Sequence, residues 1–201
     1  MKSLFASAAV IALLASPAFA ALEVGAAAPD FAADGHKDGE AYHFDLAEAR
    51  AEGPVVVYFF PGANTPGCDI EAQQFAAAMD QFEAEGALVV GATAMIAKPG
   101  DMANAFTGDA VNSEDAQAVL SEYSETLCDG KFPVMSVPAD TAAAYDVALE
   151  RGGTRMTSRT SYVISPEGEV LFTLTEGSPE PHIEQTLAAV KAYNAEHGAH
   201  E

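Results

Sequence analysis

Residues 55–68 read VVVYFFPGANTPGC, and this stretch decides how the chain folds. Its first six residues are apolar, β-branched or aromatic, which is the composition of a strand buried on both faces. Pro61 ends the run, and a Gly/Asn/Thr/Pro loop closes on Cys68. Beyond the cysteine, Ile70, Phe75, Met79 and Phe82 recur at helical spacing, and Gly86 supplies a stop. The pattern predicts a helix over 67–85. A thiol at a loop-to-helix junction faces unpaired N–H groups and the positive end of the helix dipole. Such a setting favours thiolate over thiol, and thiolate is the reactive form.

Working outward, ALVVGATAMI at 87–96 reads as a second buried strand. Strand, helix and strand in this order predict parallel pairing through a right-handed crossover. Upstream, the turn-rich segment predicts a hairpin about Asp38-Gly39 and a helical turn over Leu46 to Arg50. Downstream, 97–112 reads as an irregular insertion, and Ser113 caps a helix that runs to about Leu127. An extended segment over Lys131 to Val137 and a short helix over Ala139 to Tyr145 follow. Residues 161–165 and 169–175 alternate around Pro166-Glu167-Gly168 and predict a hairpin. Pro179 to Ala195 carries Ile183, Leu187 and Val190 on one face of a closing helix. The sum is a three-layer α/β fold with a mixed sheet, in one domain over 21–201.

The first twenty residues, MKSLFASAAVIALLASPAFA, have an early Lys, an apolar centre and an Ala-Phe-Ala end. They read as a secretory signal cleaved after Ala20, which places the protein in the periplasm or outside the cell. The apolar centre is short for a membrane span, and a retained anchor is the alternative. Nine basic against thirty acidic side chains give a net charge of −21. That surface argues against nucleic acid and anionic membrane as partners.

The chain has two cysteines, Cys68 and Cys128, and no C-x-x-C. It therefore lacks the dithiol of a thioredoxin-type oxidoreductase and the paired cysteines of a structural zinc site. A static disulfide in an exported, redox-inert module is one alternative, and a disulfide exchanger is another. The histidines His36, His43, His182, His197 and His200 are scattered. They read as surface residues, and no metal site is expected.

The loop also fits the pattern P-x-x-x-T-x-x-C. Together with APDF at 28–31, YFFPGANTPGCDIEA at 58–72, FPVMS at 132–136 and RTSYVIS at 159–165, it gives the chain its resemblance to the peroxiredoxins. The nearest likeness is to their Q-type branch, the bacterioferritin-comigratory-protein relatives. The resemblance implies a thioredoxin-like α/β/α sandwich and a thiol-dependent peroxidase of hydrogen peroxide and small organic hydroperoxides. It implies no metal, haem or flavin, a thioredoxin-like or other thiol reductant, and a monomer or dimer. Cys68 is then the nucleophile, and Arg159 is the guanidinium that stabilises its anion. Thr65 orients the peroxide, and Pro61 shapes the loop and shields the sulfur. The plainer alternatives are an inert Cys68, a merely capping Thr65 and a surface Arg159. Glu71 either buttresses Arg159 or is a solvated helix residue. Some relatives carry a second cysteine five residues after the first, but that position is Gln73 here. Others place it in the helix before the FPVMS-like segment, where this chain has Cys128. Cys128 either resolves the oxidised Cys68 as a disulfide or is a spare buried thiol. GATAMIAKPGD departs from the family's usual second strand.

Overall fold

A computed structural model describes residues 21–198, so the expected export signal and His200 lie outside the described residues. In chain order the strands and helices begin with β1 (Ala32–Lys37), β2 (Glu40–Asp45), α1 (Leu46–Arg50), β3 (Val55–Phe59), α2 (Pro66–Ala84) and β4 (Leu88–Thr93). There follow β5 (Met95–Lys98), β6 (Asp101–Thr107), a 3-10 turn (Gly108–Asn112), α3 (Glu114–Thr126), β7 (Val134–Ser136) and α4 (Ala139–Ala144). The chain closes with β8 (Ala148–Arg151), β9 (Thr154–Thr157), β10 (Thr160–Ile164), β11 (Val170–Thr175) and α5 (Glu180–His197).

Seven strands form one sheet in the order β11-β10-β3-β4-β7-β1-β2. The central β3, β4 and β7 run parallel, and their outer neighbours are antiparallel, so the sheet is mixed. Every residue of β3 is fully buried, which explains its unbroken apolar run. Successive side chains of a strand alternate between faces. Val56, Tyr58 and Phe60 enter a cluster with α2, α3 and α5. Val55, Val57 and Phe59 enter another with Leu46 of α1 and Ala142 of α4. The helices thus cover both faces of the sheet in three layers. The first cluster is aromatic: Tyr58 stacks on Phe75 with ring centroids 4.4 Å apart, and Phe132 meets Tyr58 edge-on. Among the described residues no helix is long and apolar enough to cross a membrane.

Three sequence expectations need correction. The apolar run at 87–96 is not one strand. The Thr93 hydroxyl accepts from Met95 N–H and donates to Met95 carbonyl, which turns the chain out of the main sheet. β5 then pairs with β6 in a separate two-stranded sheet. Met95, Ile96 and Ala97 are buried there and not in the central sheet. The irregular insertion expected at 97–112 is therefore mostly this hairpin and its 3-10 turn. His182, expected on the surface, is fully buried at the start of α5. The β8–β9 hairpin had no counterpart in the sequence reading.

Candidate active site

The Cys68 loop leaves the end of β3 and is sewn to β5. Ala63 N–H donates to Met95 carbonyl at 3.1 Å, and Ala97 N–H returns to Ala63 carbonyl at 3.2 Å. The Asn64 side-chain amide donates to Ala97 carbonyl at 2.8 Å. Gly62 lies directly under the Met95 side chain, where a Cβ would come within 2.1 Å of its terminal methyl. The hairpin that departs from the family pattern is thus the brace of the loop. Pro66 opens α2, where its missing N–H costs nothing.

Thr65 occupies the N-cap position but does not cap with its side chain. Its hydroxyl donates to Gly62 carbonyl at 2.9 Å. The Thr65 carbonyl accepts from both Cys68 and Asp69 N–H, each at 2.9 Å. Pro61 is partly buried at the loop's start.

Arg159, at the entrance to β10, reaches across to α2. Its Nη1 donates to Glu71 Oε2, and its Nη2 lies 3.6 Å from Cys68 Sγ. The Arg159 side chain is 9% exposed and that of Glu71 is fully buried, so both plainer alternatives, a surface arginine and a solvated glutamate, are overturned. Gly67 leaves room for the guanidinium, since a Cβ there would stand 3.2 Å from Nη2. Thr157 holds the approach to Arg159 by donating from Oγ1 to Phe60 carbonyl at 2.6 Å.

The sulfur differs from the sequence expectation in two ways. Cys68 is 1% exposed, so it is not an open thiol. Burial is the largest influence and pushes the thiol up; the Thr65 hydroxyl, Arg159 and the Gly62 backbone pull it back, and Glu71 opposes them. The single Thr65 proton serves either Gly62 or the sulfur, and in this state it is on Gly62. The local sequence carries the helix end but not the cover. Burial likewise pushes Glu71 up to about 8 against the pull of Arg159. Its Oε1 has no hydrogen-bond partner, so half of the carboxyl has lost water without replacement.

Cys128 follows the end of α3 and is a fully buried free thiol, as Cys68 is also free. Burial pushes the Cys128 thiol far above its ordinary range. Both cysteines belong to one apolar cluster. Tyr58 and Tyr123 each feel the charge of either sulfur when it ionises. Tyr123, which the sequence reading missed, donates from its hydroxyl to Cys68 carbonyl at 3.2 Å. Its spacing with Ala116 and Leu120 signals only a buried helix face.

Beside the loop, a cleft of about 190 Å³ is lined by Asn64, Tyr123 and Leu127, the residue before Cys128. A larger cavity of about 600 Å³ lies among Ala94, Val137, Ala142, Leu149 and Met156 and does not include either cysteine. The first three of these face the other side of the sheet or its edge. The smaller cleft shares Asn64 with the Cys68 loop, and neither sulfur lines it directly. No group of three or more His, Cys, Asp or Glu side chains among the described residues is placed to hold a metal ion.

The AhpC/TSA family model matches residues 24–173. The putative peroxiredoxin bcp of Helicobacter pylori is 44% identical over 70 residues, which are 35% of this chain and 43% of that protein. The chain thus spans less than half the length of this curated relative. Chloroplastic peroxiredoxin Q of Populus jackii is 30% identical over 179 residues, covering 87% of this chain and 70% of that one. Peroxidoxin BcpB from Mycobacterium tuberculosis superimposes with a TM-score of 0.65 at 27% identity, over 85% of this chain and 97% of that structure. The fold is the thioredoxin-like sandwich of these structures.

Proposed function

The chain belongs to the AhpC/TSA family, and on that premise we propose that it is a thiol-dependent peroxidase with Cys68 as nucleophile. The single observation that carries this reading is the Arg159 guanidinium 3.6 Å from a cysteine sulfur at the start of a 19-residue helix. Guanidinium charge and helix end both stabilise an anion there. The Cys68 thiolate attacks one oxygen of hydrogen peroxide or a small organic hydroperoxide. The S–O bond forms as the O–O bond breaks, and water or alcohol leaves after taking up a proton. Cys68 is oxidised to a sulfenic acid and the peroxide is reduced. Arg159 and the Thr65 hydroxyl hold the peroxide oxygens in line. Pro61 shields the sulfur, and Glu71 keeps the guanidinium aimed.

Cys128 then attacks the Cys68 sulfenic acid, releases water and forms an intramolecular disulfide. Both sulfurs lie in one cluster near the Tyr58 and Tyr123 hydroxyls, which supports this pairing. An external dithiol of thioredoxin type, or another thiol donor, restores both thiols. The leader over 1–20 directs export, with Ala21 as the mature N-terminus.

Peroxide consumption with a dithiol reductant, compared between the wild type and Cys68→Ser, tests the reading. Loss of turnover in the variant is the expected result, and unchanged turnover overturns it.

A further inference from the structure

His182 is the one histidine among the described residues that is fully buried, and both of its ring nitrogens are used. Nε2 lies 3.0 Å from Glu176 carbonyl, and Nδ1 lies 2.8 Å from Ser161 Oγ. A carbonyl only accepts, so Nε2 carries a proton, and in the neutral ring Nδ1 accepts from the Ser161 hydroxyl. The imidazole therefore ties α5 both to β10 and to the residue that follows β11. The other charged groups that act on it are Arg159 of the β10 entrance and Glu176. Burial, the largest influence, and the Arg159 charge push His182 below the usual histidine range, against the Glu176 carbonyl and carboxylate.

Ser161 is two residues from Arg159, and Val163 belongs to the cluster with α2 and α5. Arg159 and Ser161 thus both reach toward the helices on this side of the sheet. Arg159 itself stands at a bend, one residue before the first ladder pair of β10, Thr160 with Phe59. Glu71 fixes the guanidinium end of the side chain. The backbone end is held on one side by the Thr157 bond to Phe60 carbonyl and on the other by the buried link of Ser161 with His182.

We propose that His182 is a positioning residue for Arg159: its ring clamps Ser161 and the Glu176 carbonyl to α5, which fixes the strand end from which the guanidinium reaches the Cys68 sulfur. The inference rests on the peroxidase reading for its purpose, but its test does not depend on turnover.

The test is titration of Cys68 by thiolate absorbance in a Cys128→Ser background, with His, Leu or Gln at position 182. His182→Leu keeps the volume and loses both hydrogen bonds; His182→Gln can still donate to Glu176 and accept from Ser161. The expected result is a rise in the Cys68 midpoint of about half a pH unit in the Leu variant, a roughly threefold loss of thiolate below the midpoint. The Gln variant restores most of it, and in an Arg159→Gln background the Leu substitution adds nothing. Ser161→Ala, which removes one link, gives a smaller shift of the same sign and serves if the Leu variant does not fold. A Leu variant that melts earlier with an unmoved Cys68 midpoint overturns the proposal. So does an equal shift with and without Arg159. A coupled titration in a wild type that consumes no peroxide would leave the clamp standing and reject the peroxidase reading instead.

Discussion

Arg159 holds one guanidinium nitrogen on Glu71 and the other 3.6 Å from the sulfur of Cys68. One side chain therefore links a buried carboxyl to a buried thiol. Replacing Arg159 by Gln removes the only cation near the sulfur among the described ion pairs. The Cys68 thiol is expected to rise further, and the rate with peroxide to fall roughly a hundredfold. Arg159→Lys is not expected to rescue, because an ammonium does not reach two partners with a planar fork. Stopped-flow rates for the three proteins decide this.

Thr65 separates a catalytic from a structural hydroxyl. Its side chain makes no cap, so Thr65→Val costs the fold the bond to Gly62 carbonyl and takes the hydroxyl away from the Cys68 sulfur. Stability is expected to fall by about 1 kcal/mol. Peroxide turnover is expected to fall by roughly two orders of magnitude, with Thr65→Ser near the wild type. Denaturant melts and steady-state rates on the same samples check both parts.

The pH dependence follows from burial. Cys68 is raised by desolvation, so its reaction with peroxide is expected to accelerate with rising pH until the thiol is fully ionised. The linked stability runs the other way. A group raised in the folded state contributes fully below its unfolded value and loses that contribution as pH rises through its folded value. Glu71, raised from 4.5 to about 8, follows this rule. Melting temperature is expected to decline between about pH 5 and pH 9, and less so in Glu71→Gln. A flat profile in the wild type would contradict it.

Cys128→Ser is expected to leave the first reaction of Cys68 with peroxide unchanged. It abolishes the intramolecular disulfide and lets Cys68 pass to sulfinic acid under repeated peroxide. Mass mapping of the treated proteins shows which product forms. A Cys68–Cys128 peptide absent from the oxidised wild type would remove Cys128 from the cycle.

Much of this site was legible in the sequence for local reasons. Pro61, Thr65 and Cys68 lie in one strand-loop-helix passage, and the Ser113 cap accepts from Ala116 N–H as its position predicts. The Arg159–Glu71 pair needed the resemblance, because 88 residues separate its members. The cover over Cys68 was not legible. It comes partly from Tyr123, 55 residues away, whose spacing says only that it is buried. The β5–β6 hairpin was hidden because Met95 to Ala97 are as apolar as the strand before them. His182 was hidden because a lone histidine on a helix carries no sign of Ser161 or Glu176.

The most direct measurement is the single-turnover reaction of reduced protein with one equivalent of peroxide, followed by loss of the Cys68 thiol. The rate is compared with that of a free mercaptan at equal thiolate fraction. The expected result is loss of one thiol at a rate orders of magnitude above the mercaptan, and none at that rate in Cys68→Ser. A wild-type rate equal to the mercaptan's would contradict an activated sulfur at position 68.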